Sequence, residues 1–167
     1  YASPTLERDH LLIIDDVSWG MYLDLDSKFE DTNTRVSYLN RRIDIMTLST
    51  DHERIKGNLA HLIAAHCFDE GIEFIFGTEE KSRPDLVLEV VLTSGAIDKL
   101  EFYAPLRIPE VWVWESAGLG VHVLDGSRYR RAKKSRLLPK FDITLAGQLA
   151  TATRTSQAVR EFRKGSR

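Results

Sequence analysis

A mixed sheet flanked by helices, in the α/β class and bordering on α+β, is the fold this sequence predicts. Three observations carry that prediction. One long amphipathic segment, "STDHERIKGNLAHLIAAHCFDEG" at 49–71, has helical periodicity with caps at both ends. The run "PDLVLEVV" at 84–91 is short, β-branched and apolar on both faces, the pattern of a strand covered on two sides. Strand-like and helix-like segments alternate along the chain: strand pair, helix, strands, helix, strand, further strands. That order is solved most simply by one mixed sheet with helices packed against it.

The elements follow in order. Residues 1–16 read as an arm ending in a short strand, "LLII". "VSWGMYLDL" at 17–25 is a short helix, with Ser18 as its cap and Trp19, Tyr22 and Leu23 at helical spacing. "EDTNT" at 30–34 is a turn, and "RVSYLNRRIDIMTLS" at 35–49 is a hairpin with Asn40 and Arg41 at its tip. In the long helix, Thr50 and Glu53 form a capping box, Ile55, Leu59, Leu62, Ile63 and Cys67 make the apolar stripe, and Gly71 stops it. "IEFIFG" at 72–77 reads as a strand and "TEEKSR" as a polar break. The two-faced strand at 84–91 is a central strand, its proline tolerated at the first residue. A helix follows at about 96–105. "VWVWE" at 111–115 and "GVHVLDG" at 120–126 form a hairpin around Ala117-Gly118, which "RYRRAKK" extends by a third strand. "FDITLAGQLAT" and "SQAVREFRK" are two short terminal helices.

The bulk composition narrows the function classes. A chain of 167 residues, 43% hydrophobic and 29% charged, suits one domain with one core. The net charge of −2 gives no global basic field that would mark a nucleic-acid binder. Locally, "RYRRAKKSR" at 128–136 holds six Lys or Arg in nine positions. Such a run is read either as a solvated edge that discourages sheet aggregation or as a grip on a phosphate backbone, through Arg128, Arg130, Arg131, Lys133 and Lys134. The single cysteine, Cys67, excludes an internal disulfide and a zinc-type cluster, which fits a reducing cytoplasm. No stretch has the length of a membrane span.

The informative feature is the pair of acids in the apolar strand. With period-two alternation, Asp85, Val87 and Glu89 share one face. The two carboxyl-bearing Cα atoms stand roughly 13 Å apart, from four residues of strand rise. They hold one ion only with help from a twist, a bulge or a third ligand. Glu89 lies deeper, and a buried unpaired carboxylate is costly, so it requires a partner: Lys99, another basic residue, a helix N-terminus or a metal ion. A divalent metal with carboxylate ligands and a nearby lysine is the chemistry of phosphodiester cleavage. The plain alternatives are a buried Glu–Lys ion pair, and an aspartate that caps a turn after proline.

Several segments resemble, in order, the Uma family of restriction-endonuclease-like proteins. "VSWGMYLDL" is similar to the family's opening helix, and "STDHERIKGNLAHLI" to its His-bearing core helix. "RPDLVLEVVLTSGAIDKLEFYAPLRIPEVWVWE" resembles the signature PDlvvEvlSPs…dK…Y…gvpEyWivd, and "GSRYRRAKKSRLLPKFDITL" the family's tail. The likeness runs from about residue 17 over nearly the whole chain. It implies the restriction-endonuclease-like core of the PD-(D/E)xK nucleases, here with an N-terminal hairpin extension. The implied division is 1–48 arm and hairpin, 49–126 core and 127–167 extension, all in one domain.

Carried over position by position, Asp85 and Glu89 fall on the acidic motif as ligands of Mg²⁺ or Mn²⁺. Lys99 is the catalytic lysine, moved from the strand to the next helix. His52 and Glu53 fall at the start of the core helix as site-lining residues, and Tyr103 shares a helical face with Lys99 and orients it. Three departures stand against the pattern. Leu92-Thr93-Ser94 replaces the motif's SPS, and Val91 leaves no literal ExK. Between Gly71 and Gly77 the family's extra strand and further aspartate are absent. Either that hairpin has been lost or residues are missing from the sequence there.

The remaining residues have plain readings. His61 and His66 are structural or surface groups, and Trp112 and Trp114 are packing residues or part of a dimer surface. Two functions stay open. One is a metal-dependent endonuclease acting on DNA, expected as a homodimer because two strands must be cut. The other is a catalytically inactive nuclease-fold protein of binding or assembly, with the acids as buried structural partners. Convergence of Asp85, Glu89 and Lys99 on one cleft favours the first. A Glu89 sealed away from any cleft favours the second.

Overall fold

The computed structural model describes residues 5–76, 83–95 and 98–165. Its first sheet is antiparallel, with strand order β1-β3-β2. Strand β1 is His10–Ile14, β2 is Thr34–Leu39 and β3 is Arg42–Thr47. The β2–β3 hairpin turns at Asn40 and Arg41, whose φ angles of 50° and 65° give both central residues the left-handed backbone of a tight hairpin turn. Helix α1, Trp19–Phe29, starts where Ser18 accepts the Met21 N–H. Its Trp19 and Tyr22 pack with Tyr38 of β2 at ring separations of 5.4 Å each.

Helix α2, Thr50–Glu70, is the spine of the molecule. Its cap is Ser49, one residue earlier than the sequence suggests. Ser49 keeps an extended backbone, accepts the His52 N–H at 3.1 Å on its hydroxyl and accepts the Glu53 N–H at 3.2 Å on its carbonyl. Thr50 is already helical, so the expected Thr50–Glu53 box does not form. Gly71 ends the helix in the left-handed conformation, with φ 67°. All five residues of the expected stripe are buried.

Residues 72–76 form no strand, contrary to the sequence reading. They have no ladder among the described residues. Phe74 instead packs edge-on against Phe68 and Phe76, at 5.5 and 5.3 Å. Gly77 lies outside the described residues.

The second sheet has the order β4-β5-β6-β7. Strand β4 is Leu86–Val90, β5 is Glu110–Glu115, β6 is Gly118–Asp125 and β7 is Arg128–Ala132. Strand β4 runs parallel to β5, and the other pairs are antiparallel, so the sheet is mixed as expected. Among the described residues β4 is an edge strand rather than a central one. Two-faced apolar patterning senses whether both faces are covered, and not whether both edges are paired. The short helix α3, Lys99–Tyr103, is capped by Asp98 and is shorter than the expected 96–105; residues 96 and 97 lie outside the described set.

One face of this sheet makes the core. Leu86, Leu88 and Val90 of β4, Trp112 and Trp114 of β5, and Leu119, Val121 and Val123 of β6 meet Ile55, Leu59 and Leu62 of α2. Helices α4, Ile143–Leu149, and α5, Thr155–Gly165, complete the layer with Ala146, Ala158 and Phe162. The indoles of Trp112 and Trp114 are buried inside the chain, at 0% and 3% exposure, so they offer no dimer surface. Asn58 of α2 fixes the α4–α5 connection: its amide donates to the carbonyls of Ala150 and Ala152, both at 2.8 Å, and it accepts from Thr155 at 2.7 Å. Buried Glu110 accepts from the Trp112 indole at 2.6 Å and from the Arg136 N–H at 2.9 Å, so its charge is met inside the core layer. The opposite face of the sheet carries Glu89 and its register partner Val113, and looks toward the first sheet.

Candidate functional site in the cleft between the sheets

Between the two sheets lies a cleft of about 230 Å³. Its walls follow from strand alternation. Arg35 and Ser37 of β2 stand opposite Met46 and Asp44 of β3, and all four line it. Glu89 and Val113 contribute from the facing sheet, with His122 of β6 and Glu115 at the end of β5. Lys99 enters from α3, and His52 from the first turn of α2. The loop after β4, Val91–Gly95, forms one rim. Thr93 of that loop donates to the Asp9 carbonyl at 2.9 Å, which holds the rim against the N-terminal arm.

The expected site residues divide into three groups. Glu89, Lys99 and His52 line the cleft together. Tyr103 stands beside them and bonds Glu89. Asp85 and Glu53 are exposed and outside the cleft wall. Asp85 sits at the start of β4, where its backbone carbonyl accepts the Glu110 N–H at 3.3 Å. The strand rise that separates it from Glu89 also keeps it away from the pocket.

Glu89 is 7% exposed, and its partner is not the one expected. The hydroxyl of Tyr103 donates to its Oε1. Burial, and then the charge and hydrogen bond of Glu89, push the Tyr103 phenol well above its ordinary range, so it stays a donor at any physiological pH. Tyr103 therefore holds Glu89 rather than Lys99. The Lys99 ammonium donates to Ser37 Oγ at 3.0 Å and lies 5.6 Å from the centre of the Phe102 ring.

Sequence reasoning missed several members of the site. Asp9 is buried on the arm, and its Oδ2 accepts His52 Nδ1 at 2.8 Å while Oδ1 accepts the Ser49 N–H at 2.8 Å. Asp44 and Arg35 come from the hairpin. Lys56, outside the cleft wall, is one turn after His52 on α2; burial pushes its ammonium down, Arg35 adds to this, and Glu89 and Glu53 oppose it. His122 is pushed down by burial and by Arg131. An i,i+4 pair of basic residues at 52 and 56 was the available signal for Lys56. Nothing in the sequence marks Asp9, whose partner is 43 residues away.

The basic run lies apart from the cleft. Arg128, Arg130 and Arg131 are exposed on β7, with Arg130 paired to Asp125 at 2.8 Å, and Lys133 and Lys134 follow it on the surface. Arg131 is the register partner of His122, so this one arginine points to the cleft side of the sheet.

Hard cations take several oxygen ligands around one point. Among the described residues no three His, Cys, Asp or Glu side chains stand together as a metal-binding group. Of the two expected ligands only Glu89 lines the cleft, so Asp85 and Glu89 do not form one ligand set among the described residues.

With this geometry in hand, the comparison with known families is specific. Residues 77–148 match the Uma2 family, described as "Putative restriction endonuclease". The resemblance read from the sequence holds over that segment, which carries Glu89, Lys99, Tyr103 and the whole second sheet. The mixed α/β architecture is consistent with a nuclease-like core. No curated protein matches the chain. No helix among the described residues is long and apolar enough to cross a membrane.

Proposed function

We propose that this chain is a nuclease-fold hydrolase that cleaves DNA phosphodiester bonds in the cleft between its two sheets. One observation carries the reading: the acid and the lysine of the family's signature, Glu89 and Lys99, line the same cleft although they come from different elements. The Lys99 ammonium supplies positive charge where a pentavalent phosphate would gather negative charge. Tyr103 fixes the Glu89 carboxylate against the strand, so the acid faces substrate without rotamer freedom. The basic residues Arg128, Arg131, Lys133 and Lys134 extend from the same sheet as a grip for the phosphate backbone.

Mg²⁺ or Mn²⁺ is the cofactor this reading carries over from the family resemblance, with Glu89 the one expected ligand inside the cleft. The single-domain organisation, a homodimer that cuts two strands and a cytoplasmic setting belong to the same proposal. The direct test is conversion of supercoiled plasmid by the protein in Mg²⁺ or Mn²⁺, against Lys99→Met. Cleavage that is lost in the variant supports the reading, and no cleavage by the wild type in either ion contradicts it.

A second reading has its own observation. Glu89 is buried and already engaged by Tyr103, as in a protein that keeps the fold for binding or assembly and has no chemistry. A wild type that binds duplex DNA without cutting it favours that reading.

A further inference from the structure

We propose, resting on the nuclease reading above, that His52 is the general base of this cleft and that Asp9 is the residue that positions it. The two groups are 43 residues apart in sequence and both buried, His52 at 2% and Asp9 at 5% exposure. The Asp9 carboxylate is itself fixed, with one oxygen on the Ser49 N–H and the other on the imidazole. A carboxylate only accepts, so His52 carries its hydrogen on Nδ1, and Nε2 is left as the basic nitrogen.

Nε2 has no hydrogen-bond partner among the described residues, although it is buried and its ring lines the cleft. A buried polar nitrogen without a partner is costly, and a water entering the cleft would remove that cost. Helix geometry adds a second constraint. His52 is in the first turn of α2, where its backbone N–H caps onto Ser49 and fixes the main chain, while the bond from Nδ1 to Asp9 holds the ring. An oriented carboxylate, a fixed imidazole and a buried, unpartnered nitrogen on a residue that lines a cleft with a lysine make a base for a water drawn into that cleft.

The step balances with water alone. His52 Nε2 takes a proton from water as the water oxygen forms a new bond to phosphorus. The opposite phosphorus–oxygen bond breaks, and the leaving oxygen takes a proton from bulk water. The imidazolium then returns its proton to solvent. Lys99 faces the developing phosphate charge.

The test is single-turnover cleavage of a DNA duplex by the full chain in Mg²⁺ or Mn²⁺. His52→Ala is expected to lose about 100-fold or more in rate, as for removal of a general base, with part of the loss restored by added imidazole. Asp9→Asn is expected to lower the saturating single-turnover rate by about 10- to 100-fold with DNA affinity unchanged, the effect typical of a group that orients a catalytic ligand. His52→Asn keeps a donor toward Asp9 but offers no base. It is expected to melt like the wild type and to cleave as poorly as His52→Ala, and it decides the matter should His52→Ala fail to fold. A wild type that cleaves while His52→Asn cleaves equally well overturns the role of His52 and leaves the nuclease reading standing. Loss in both His52→Ala and His52→Asn with lowered melting temperatures and no imidazole rescue marks a structural residue and also overturns it. A wild type inactive in both ions overturns the nuclease reading, and this inference falls with it.

Discussion

The Tyr103 hydroxyl donates a hydrogen bond to Oε1 of Glu89, joining the short helix α3 to the edge strand β4. The contact gives a buried carboxylate a neutral hydrogen-bond donor. It ties one end of α3 to the strand, and Lys99, at the other end of the same helix, lines the cleft. One phenol thus connects the packing of α3 to the placement of both signature residues.

Tyr103→Phe removes that donor and leaves the carboxylate buried. The expected loss of stability is about 1.5–3 kcal/mol, the range for a hydrogen bond to a charged group, read as a shift in urea midpoint. The pH dependence has a definite sign. The folded phenol is raised above its ordinary 10.0, so the folded state holds the proton that the unfolded chain releases above that pH. Its contribution is complete below pH 10 and is lost as pH climbs toward the folded value. The wild type should therefore lose stability more steeply above pH 10 than Tyr103→Phe, and the two curves should run parallel at neutral pH.

Glu110→Ala strands a buried donor, the Trp112 indole, and a half-buried one, the Arg136 N–H. The expected cost is about 3–5 kcal/mol, from two unmet groups and a cavity. Chemical denaturation followed by tryptophan fluorescence reads it directly. Glu110→Gln keeps an acceptor for the indole and should cost less than half as much.

Gly147 of α4 lies so close to β6 that an added Cβ would meet the Leu119 backbone nitrogen at 2.7 Å. Its carbonyl also accepts the Trp114 indole at 3.0 Å, so the helix cannot shift away freely. Gly147→Ala should destabilise by about 1–3 kcal/mol, although alanine is the better helix former. A thermal melt with no change would place α4 farther from the sheet than described.

The basic run gives a salt-dependent prediction. Replacing Lys133 and Lys134 together by Ala should weaken duplex binding equally across sequences. It should also reduce the slope of log affinity against log salt by about two. Arg130→Ala should do less, because Arg130 is paired to Asp125. An unchanged slope in the double variant assigns the run to a solvated edge.

Local chemistry made much of the fold legible. The Ser18 cap, the Asn40-Arg41 turn, the Gly71 stop and the hairpin around Ala117-Gly118 depend on neighbours within a few residues, and all form where the sequence places them. The failures share a cause. A strand at 72–77 needs a partner strand, and no residue within the segment announces that none is present among the described residues. The edge position of β4 and the pairing of Tyr103 with Glu89 depend on where α3 docks, which is a tertiary fact. Glu89 was visible because a carboxylate in an apolar run is locally anomalous. Asp9 was invisible because an aspartate in a polar arm is not, and only the folded arm brings it to His52.

The most direct measurement compares DNA cleavage by Glu89→Gln and Asp85→Asn with that of the wild type, in the same ions and at matched fold. A site in the cleft predicts that Glu89→Gln abolishes cleavage and that Asp85→Asn, outside the cleft wall, retains most of it. Equal loss in both variants would place the chemistry on the exposed start of β4 and contradict the cleft as the active site.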